Sequence, residues 1–304
     1  VAGRPGRAAV LDIGCFSAHL VVVEGSPLNP VLSHKTRLRL DRALTRDRRI
    51  GREGVTAVCA AVRSAAAAAA QAGAPDPVAF ATSVIRDAAN AHEVLAEVRK
   101  RTGVDVRVLP GEEEARLAYV AARNWFGFAA GPLLVLDVGG GTVEVAAGSD
   151  AAPSYTRSFP LGARTVTRGG VDKRELDRRL RAELAGLDAA GHRAVGCSKV
   201  FQQLARLSGA RPQHEGPLVR RALWLEDLRR WSPRLAGMPA SKRARLPGIS
   251  RHRAEQSAAG AAVAEALMAA LARDVVEICP WSTKEGLLLE RAVVGGDDGL
   301  VVVA

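Results

Sequence analysis

Cysteine is scarce in this sequence, and what there is stands scattered. Cys15, Cys59, Cys197 and Cys279 occur singly, with no CxxC pair and no Cys/His cluster at zinc-ligand spacing. That excludes a disulfide framework and a structural zinc site, and reads as reduced thiols in a cytoplasmic protein. Aromatic residues are also few, at 4%, and Tyr119 and Tyr155 form no stacking stripe. With no nucleic-acid motif present, the basic clusters at 46–52, 173–181 and 242–253 do not amount to a nucleic-acid surface. Nor is there a run of about 20 strongly apolar residues. The longest candidates, 65–70 and 258–271, are alanine-rich or interrupted by Glu265, so no membrane span is expected. The opening residues 1–7 lack the charged, apolar and small-residue regions of a signal peptide, so export is not expected either.

Arginine, by contrast, is abundant. The formal net charge of the 304 residues is +11 and the pI about 10.3. A positive field raises the local concentration of polyanions and suits phosphate-rich ligands. Arginines spread over solvated faces give the same total, so charge alone decides little. Length and an apolar content of 48% are enough for two domains, each with its own core.

Residues 8–25 read as two apolar strands around a tight turn at Gly14, and 30–40 as a third strand with Lys35, Arg37 and Arg39 on one face. An alanine-rich helix over 52–72, a short strand over 77–82, a helix over 88–102 and a strand over 104–109 follow. This alternation predicts an α/β domain with a mixed sheet. After a helix over 112–125, Gly127 and Gly131-Pro132 punctuate the chain. Residues 133–147 then repeat the design of the start: apolar strand, Asp-Val-Gly-Gly-Gly turn, apolar strand. Leu11-Asp12-Ile13-Gly14 and Leu136-Asp137-Val138-Gly139 are the matching cores, 125 positions apart. The expected domains are 1–128 and 129–304. The second is expected to be helix-rich, with helical periodicity over 173–207, 218–230 and 251–273, a short strand over 275–279 and a closing helix over 282–290.

A strand ending in Asp-x-Gly and followed by a returning strand leaves backbone N–H groups pointing into a concave turn that suits phosphate oxygens. Glycine there is expected for its φ freedom and for close approach. The carboxylate at the strand end is placed to hold a cation or water on the same phosphates. One such hairpin is a common turn. Two of one design, each opening a domain, resemble the arrangement of the sugar kinase, heat-shock ATPase and actin superfamily.

Within that superfamily, Ala81-Thr82-Ser83-Val84-Ile85-Arg86-Asp87-Ala88 resembles a signature of the exopolyphosphatase and guanosine pentaphosphate phosphatase family. So do Leu109-Pro110-Gly111-Glu112-Glu113-Glu114-Ala115-Arg116 and Asp137-Val138-Gly139-Gly140-Gly141-Thr142-Val143-Glu144. Ser158-Phe159-Pro160-Leu161-Gly162-Ala163, Arg253-Ala254-Glu255 and Ile278-Cys279-Pro280-Trp281 carry the likeness to the end, with Lys284-Glu285-Gly286 where the family often has Arg-Glu-Gly. The short, two-domain exopolyphosphatases of actinobacterial type are the nearest match.

The resemblance implies two actin-like, ribonuclease H-like α/β domains with a phosphate-binding cleft between them. It implies an Mg2+-dependent exopolyphosphatase that releases terminal orthophosphate from linear polyphosphate. The alternatives are hydrolysis at the 5' end of guanosine pentaphosphate, or a weakened binder of polyphosphate or an alarmone such as guanosine tetraphosphate. Glu114 takes the place of the family's catalytic carboxylate and would be the general base. Glu112 and Glu113 read as acids complementing a helix dipole. Asp12, Asp137 and Glu144 match metal-binding acids. Gly14, Cys15, Ser17, Gly139, Gly140, Gly141 and Thr142 would bind phosphate, and Arg86 would clamp one. Lys173, Arg174, Lys242 and Arg243 are candidates for leading the polymer away. A homodimer is implied by analogy alone. The first loop departs from the family pattern, because Cys15 and Phe16 stand where Ser and Asn are usual, which predicts weaker binding or altered specificity. Cys15 lacks the arginine six residues on that a cysteine phosphatase loop would need, since position 21 is Val.

Overall fold

Each Asp-Gly hairpin opens its own sheet. The computed structural model describes residues 6–170 and 172–294, which form two compact units: residues 6–110 with 284–294, and residues 111–283. The first unit holds β1 (Arg7–Ile13), β2 (Ser17–Glu24), β3 (Ser26–Arg37), β4 (Val78–Ala81) and β5 (Val106–Val108) in the order β3-β2-β1-β4-β5. The hairpin strands are antiparallel, while β4 and β5 run parallel to β1. The strands form where apolar residues run almost unbroken: Val10, Leu11, Ile13, Leu20, Val22 and Val23 are all buried, as strands covered on both faces require.

One face of this sheet is covered by the helices Arg52–Gln71 and Ala91–Thr102. Ala61, Ala65 and Ala69 alternate with Val58 and Val62 on the buried side of the first, so small side chains let the backbone lie close. The other face receives Leu288 of the helix Thr283–Val294, which packs with Val10, Val21, Val78 and Phe80. Full burial of that leucine contributes about 1.5–3 kcal/mol toward holding the helix on this sheet.

The second unit repeats the plan with β6 (Leu133–Val138), β7 (Val143–Gly148), β8 (Tyr155–Phe159), β9 (Arg193–Gly196), β10 (Ala222–Trp224) and β11 (Val275–Ile278), ordered β8-β7-β6-β9-β11-β10. A hairpin plus third strand, then parallel strands added beside the first, is the actin-like order in both units, with β10 closing the second sheet antiparallel to β11. The helix Gly111–Phe126 packs on β6, β7 and β8, so the chain enters the second unit after Pro110, ahead of the glycine punctuation at 127–132. Arg123 fixes its end. Although only 2% exposed, Arg123 donates to the carbonyls of Gly127, Gly131, Gly148 and Asp150 and to the Tyr119 hydroxyl.

The stretch 173–207, expected to be mostly helical, holds a strand between its helices: helix Lys173–Glu183, strand β9 and helix Lys199–Leu207. β9 is four residues long and buried at Ala194, Val195 and Gly196, so it shows no alternation for a period-two pattern to reveal. Its place between β6 and β11 is set by pairing with both. Gly196 permits that closeness: a Cβ there would lie 2.7 Å from the Phe201 ring and 2.9 Å from Val276. Likewise 218–230 holds edge strand β10 at 222–224 before its helix Leu225–Ala236. Among the described residues no helix is long and apolar enough to cross a membrane.

Candidate active site

The second hairpin loop, between β6 and β7, is built to present donors. The Gly139 amide donates to the Thr142 carbonyl at 2.9 Å, closing the turn. The loop's own carbonyls are all taken up from the other side. Ala163 N donates to Gly139 O (3.0 Å), Arg164 N to Gly140 O (2.7 Å), and both Gly162 N (3.1 Å) and the Thr165 hydroxyl (2.8 Å) to Gly141 O. Among the described residues the amides of Gly140, Gly141 and Thr142 make no hydrogen bond, so the loop offers N–H groups and no carbonyls. Such a surface suits an anion.

The glycines serve close approach rather than unusual φ. None of Gly14, Gly139, Gly140 and Gly141 is among the positive-φ glycines, contrary to that part of the expectation. A Cβ on Gly139 would lie 3.1 Å from the Thr142 carbonyl oxygen. The tightest contact comes from Gly162, where a Cβ would lie 2.5 Å from both Gly141 C and Thr142 N. Gly162 was read as part of a family string, but its role as the residue on which the loop rests needed the fold.

Asp137, the penultimate residue of β6, faces Glu144 of β7 directly across the ladder. Two carboxylates at that position repel unless a proton or cation lies between them. Desolvation pushes the Asp137 pKa up to about 6, against the hydrogen bond from Ser282 and the nearby charge of Arg253. Glu144, 5% exposed, accepts from the Ser158 hydroxyl at 2.9 Å. This donor set is all oxygen and only two carboxylates, and among the described residues no three His, Cys, Asp or Glu side chains cluster as a cage. It therefore fits Mg2+, which keeps most of its waters and takes one or two carboxylates together with substrate phosphates, and does not fit zinc.

Glu114 lies in the first turn of the helix Gly111–Phe126 and is buried, at 8% exposure. Its neighbours are disposed differently: Glu112 is exposed, and Glu113 makes a two-pronged ion pair with Arg116 at 2.8 and 2.7 Å. One dipeptide ties Glu114 to Asp137. The Ser282 hydroxyl donates to Asp137 Oδ2 at 2.9 Å, and the hydroxyl of the next residue, Thr283, donates to the Glu114 carbonyl at 3.4 Å. Ser282 and Thr283 lie between two strings noted in the sequence, Ile278–Trp281 and Lys284–Gly286, and no composition signal marks them. An open pocket adjoins the loop, lined by Gly139, Gly140, Gln203, Arg253, Gln256 and Ser257.

In the first unit, Gly14 N donates to Ser17 O at 3.0 Å, while the Cys15 and Phe16 carbonyls accept from Leu40 N and Leu38 N. Phe16 is 5% exposed, so this loop carries a buried ring where the resemblance would place a polar side chain. Gly14 is not sterically forced, since its nearest contacts to a Cβ are 3.7 Å or more. Burial would lower the pKa of the Lys284 ammonium, but Glu285, its 2.6 Å hydrogen-bond partner, and Asp12 outweigh that and raise it. Asp12 thus has a cation beside it within its own unit. Arg86 donates to Asp87 at 3.0 Å and to the Leu109 carbonyl at 3.1 Å, tying the Ser83–Arg86 turn to the end of β5. Arg243, a candidate for guiding polymer, is instead buried and donates to the carbonyls of Leu235 and Glu255. Lys173 pairs with buried Glu265 at 2.7 Å.

The model of the Ppx/GppA phosphatase family matches residues 20–293. Exopolyphosphatase 1 of Mycobacterium tuberculosis is 42% identical over 302 residues, which covers 94% of this chain and 88% of the relative. The protein of the same name from Mycobacterium leprae is 40% identical, covering 94% and 89%. Among solved structures, the Aquifex aeolicus member of the Ppx/GppA family superposes with a TM-score of 0.79 at 22% identity, covering 96% of this chain and 99% of that one. An exopolyphosphatase from Cytophaga hutchinsonii gives 0.82 at 20% identity, covering 96% and 99%. At those identities the structures speak for the fold, whereas the family model and the mycobacterial relatives speak for descent: this chain belongs to the Ppx/GppA phosphatase family.

Proposed function

We propose that this protein is an exopolyphosphatase, which hydrolyses the terminal phosphoanhydride bond of linear polyphosphate and releases orthophosphate. The observation that carries the reading is the Ser282-Thr283 clamp, which fastens the Asp137 carboxylate and the backbone of Glu114 to adjacent residues, beside a loop that presents only donors. A phosphoryl group needs those parts: donors for its oxygens, a carboxylate pair for a cation, and a base for water. The likeness to proteins named exopolyphosphatase, over most of both chains, supports the same substrate.

In this mechanism the amides of Gly140, Gly141 and Thr142 hold the oxygens of the terminal phosphoryl group. Glu114 accepts a proton from water as its oxygen attacks phosphorus, and the bridging P–O bond breaks toward the shortened chain. Burial of Glu114 limits competing solvent. Asp137 and Glu144 would hold Mg2+, which when bound offsets the negative charge of the phosphoryl oxygens. In the first unit, Gly14, Cys15 and Ser17 would offer further phosphate contacts, with Asp12 as an additional acid and Arg86 as a clamp once released from Asp87. The reading takes the protein to be cytoplasmic and homodimeric, the second of which sedimentation would check.

The test is orthophosphate release from short- and long-chain polyphosphate and from guanosine pentaphosphate, with and without Mg2+, for the native chain and Glu114→Gln. The expected result is Mg2+-dependent release that falls about 10²–10⁴-fold in the variant. Intact ligand binding with no release from any substrate would leave a binding protein and defeat the hydrolase reading.

A further inference from the structure

We propose that Arg164 is a phosphate-binding residue: its guanidinium, buried without a protein partner against Gly140, donates to a phosphoryl oxygen of the anion held on the 139–142 loop. Arg164 is 7% exposed, and its Nη1 has no hydrogen-bond partner. Among the described residues no ion pair or side-chain hydrogen bond involves it. Buried Arg123, by contrast, donates through all three of its nitrogens, and Arg243 donates through both terminal nitrogens to carbonyls with only its Nε left over. A buried cation left without acceptors is strongly disfavoured unless a ligand supplies them.

Position and chemistry then name the ligand. The Arg164 amide is fastened to the Gly140 carbonyl at 2.7 Å, and Nη1 would lie 3.4 Å from a Cβ on Gly140. The guanidinium therefore lies alongside the segment whose own amides are unengaged, and a side chain at position 140 would crowd it. A guanidinium has only donors, as does this face of the loop, so the missing partner is an oxyanion with several acceptor oxygens. A tetrahedral phosphoryl group fits both at once. Arg253, on the cavity side of Gly140, is by contrast placed near Asp137. The assignment rests on the reading of the loop as the polyphosphate site, and adds the side chain that grips the anion there.

The experiment compares the full native chain with Arg164→Met and Arg164→Lys. It follows thermal melting with and without Mg2+ and tripolyphosphate, and KM and kcat for phosphate release. Arg164→Met should melt no lower than the native chain without ligand, because an apolar chain of similar length replaces an unsatisfied cation. It should also lose the upward shift in melting on adding tripolyphosphate and raise KM about 10- to 100-fold, the worth of one charged hydrogen bond. Arg164→Lys should fall between. A Met variant with unchanged KM and an unchanged tripolyphosphate shift would overturn the assignment, as would one that melts well below native and is restored by Lys, since that marks a structural arginine. If the native chain binds tripolyphosphate but releases no phosphate, and the Met variant loses that binding, the hydrolase reading falls and Arg164 stands. A native chain that neither binds nor releases would end both.

Discussion

Replacing Asp137 by asparagine should stabilise the metal-free protein at neutral pH while abolishing turnover. The carboxyl is raised from 3.8 to about 6 by desolvation, so the folded protein holds this proton more tightly than the unfolded chain does. For a carboxyl raised in the fold, stability is greatest below the unfolded pKa and falls as pH rises through the folded one. The difference of about 2 units corresponds to roughly 3 kcal/mol lost in all, of which roughly 1–2 kcal/mol falls between pH 5 and pH 8. Asparagine keeps an acceptor for the Ser282 hydroxyl but cannot ionise. Its advantage in thermal melting without divalent cations should therefore widen from pH 5 to pH 8, by about 2–4 °C per kcal/mol for a unit of this size. Adding Mg2+ should raise the melting temperature of the native chain at pH 8 and leave Asp137→Asn unmoved. A gap that does not change with pH, or an asparagine variant that melts below native at pH 8 without metal, would refute the idea that burial of a charge waiting for a cation sets this site.

Two further substitutions probe the scaffold of the loop. Gly162→Ala sets a methyl 2.5 Å from the backbone of Gly141 and Thr142, which cannot swing aside, so it should cost about 1–3 kcal/mol and lower kcat/KM at least tenfold with the fold intact by circular dichroism. Arg123→Met leaves the carbonyls of Gly127, Gly131 and Gly148 without their donor, and chemical denaturation should show a loss of about 2–4 kcal/mol.

Much of this protein is legible in its sequence, because hairpins and short loops carry their geometry locally. An apolar strand, an Asp-x-Gly turn and a returning strand fold the same way wherever they occur, which is why β1–β2 and β6–β7 and their carboxylates are apparent from residues 8–25 and 133–147 alone. The acidic turn at 112–114 is likewise local, and the family strings extend it to the whole chain. What tertiary structure decided is everything that depends on residues far apart in sequence. The four residues of β9 become a strand only because β6 and β11 flank them. The helix Gly111–Phe126 packs on the second sheet, and Leu288 returns to the first, because each finds there the apolar surface that its own neighbours in sequence do not supply. The Asp137–Ser282 hydrogen bond spans 145 positions, and burial of Arg164 against Gly140 follows from the way Gly162 brings its helix onto the loop. Spacing gives no trace of such pairings, since they follow from close packing between distant segments and not from local conformational preference.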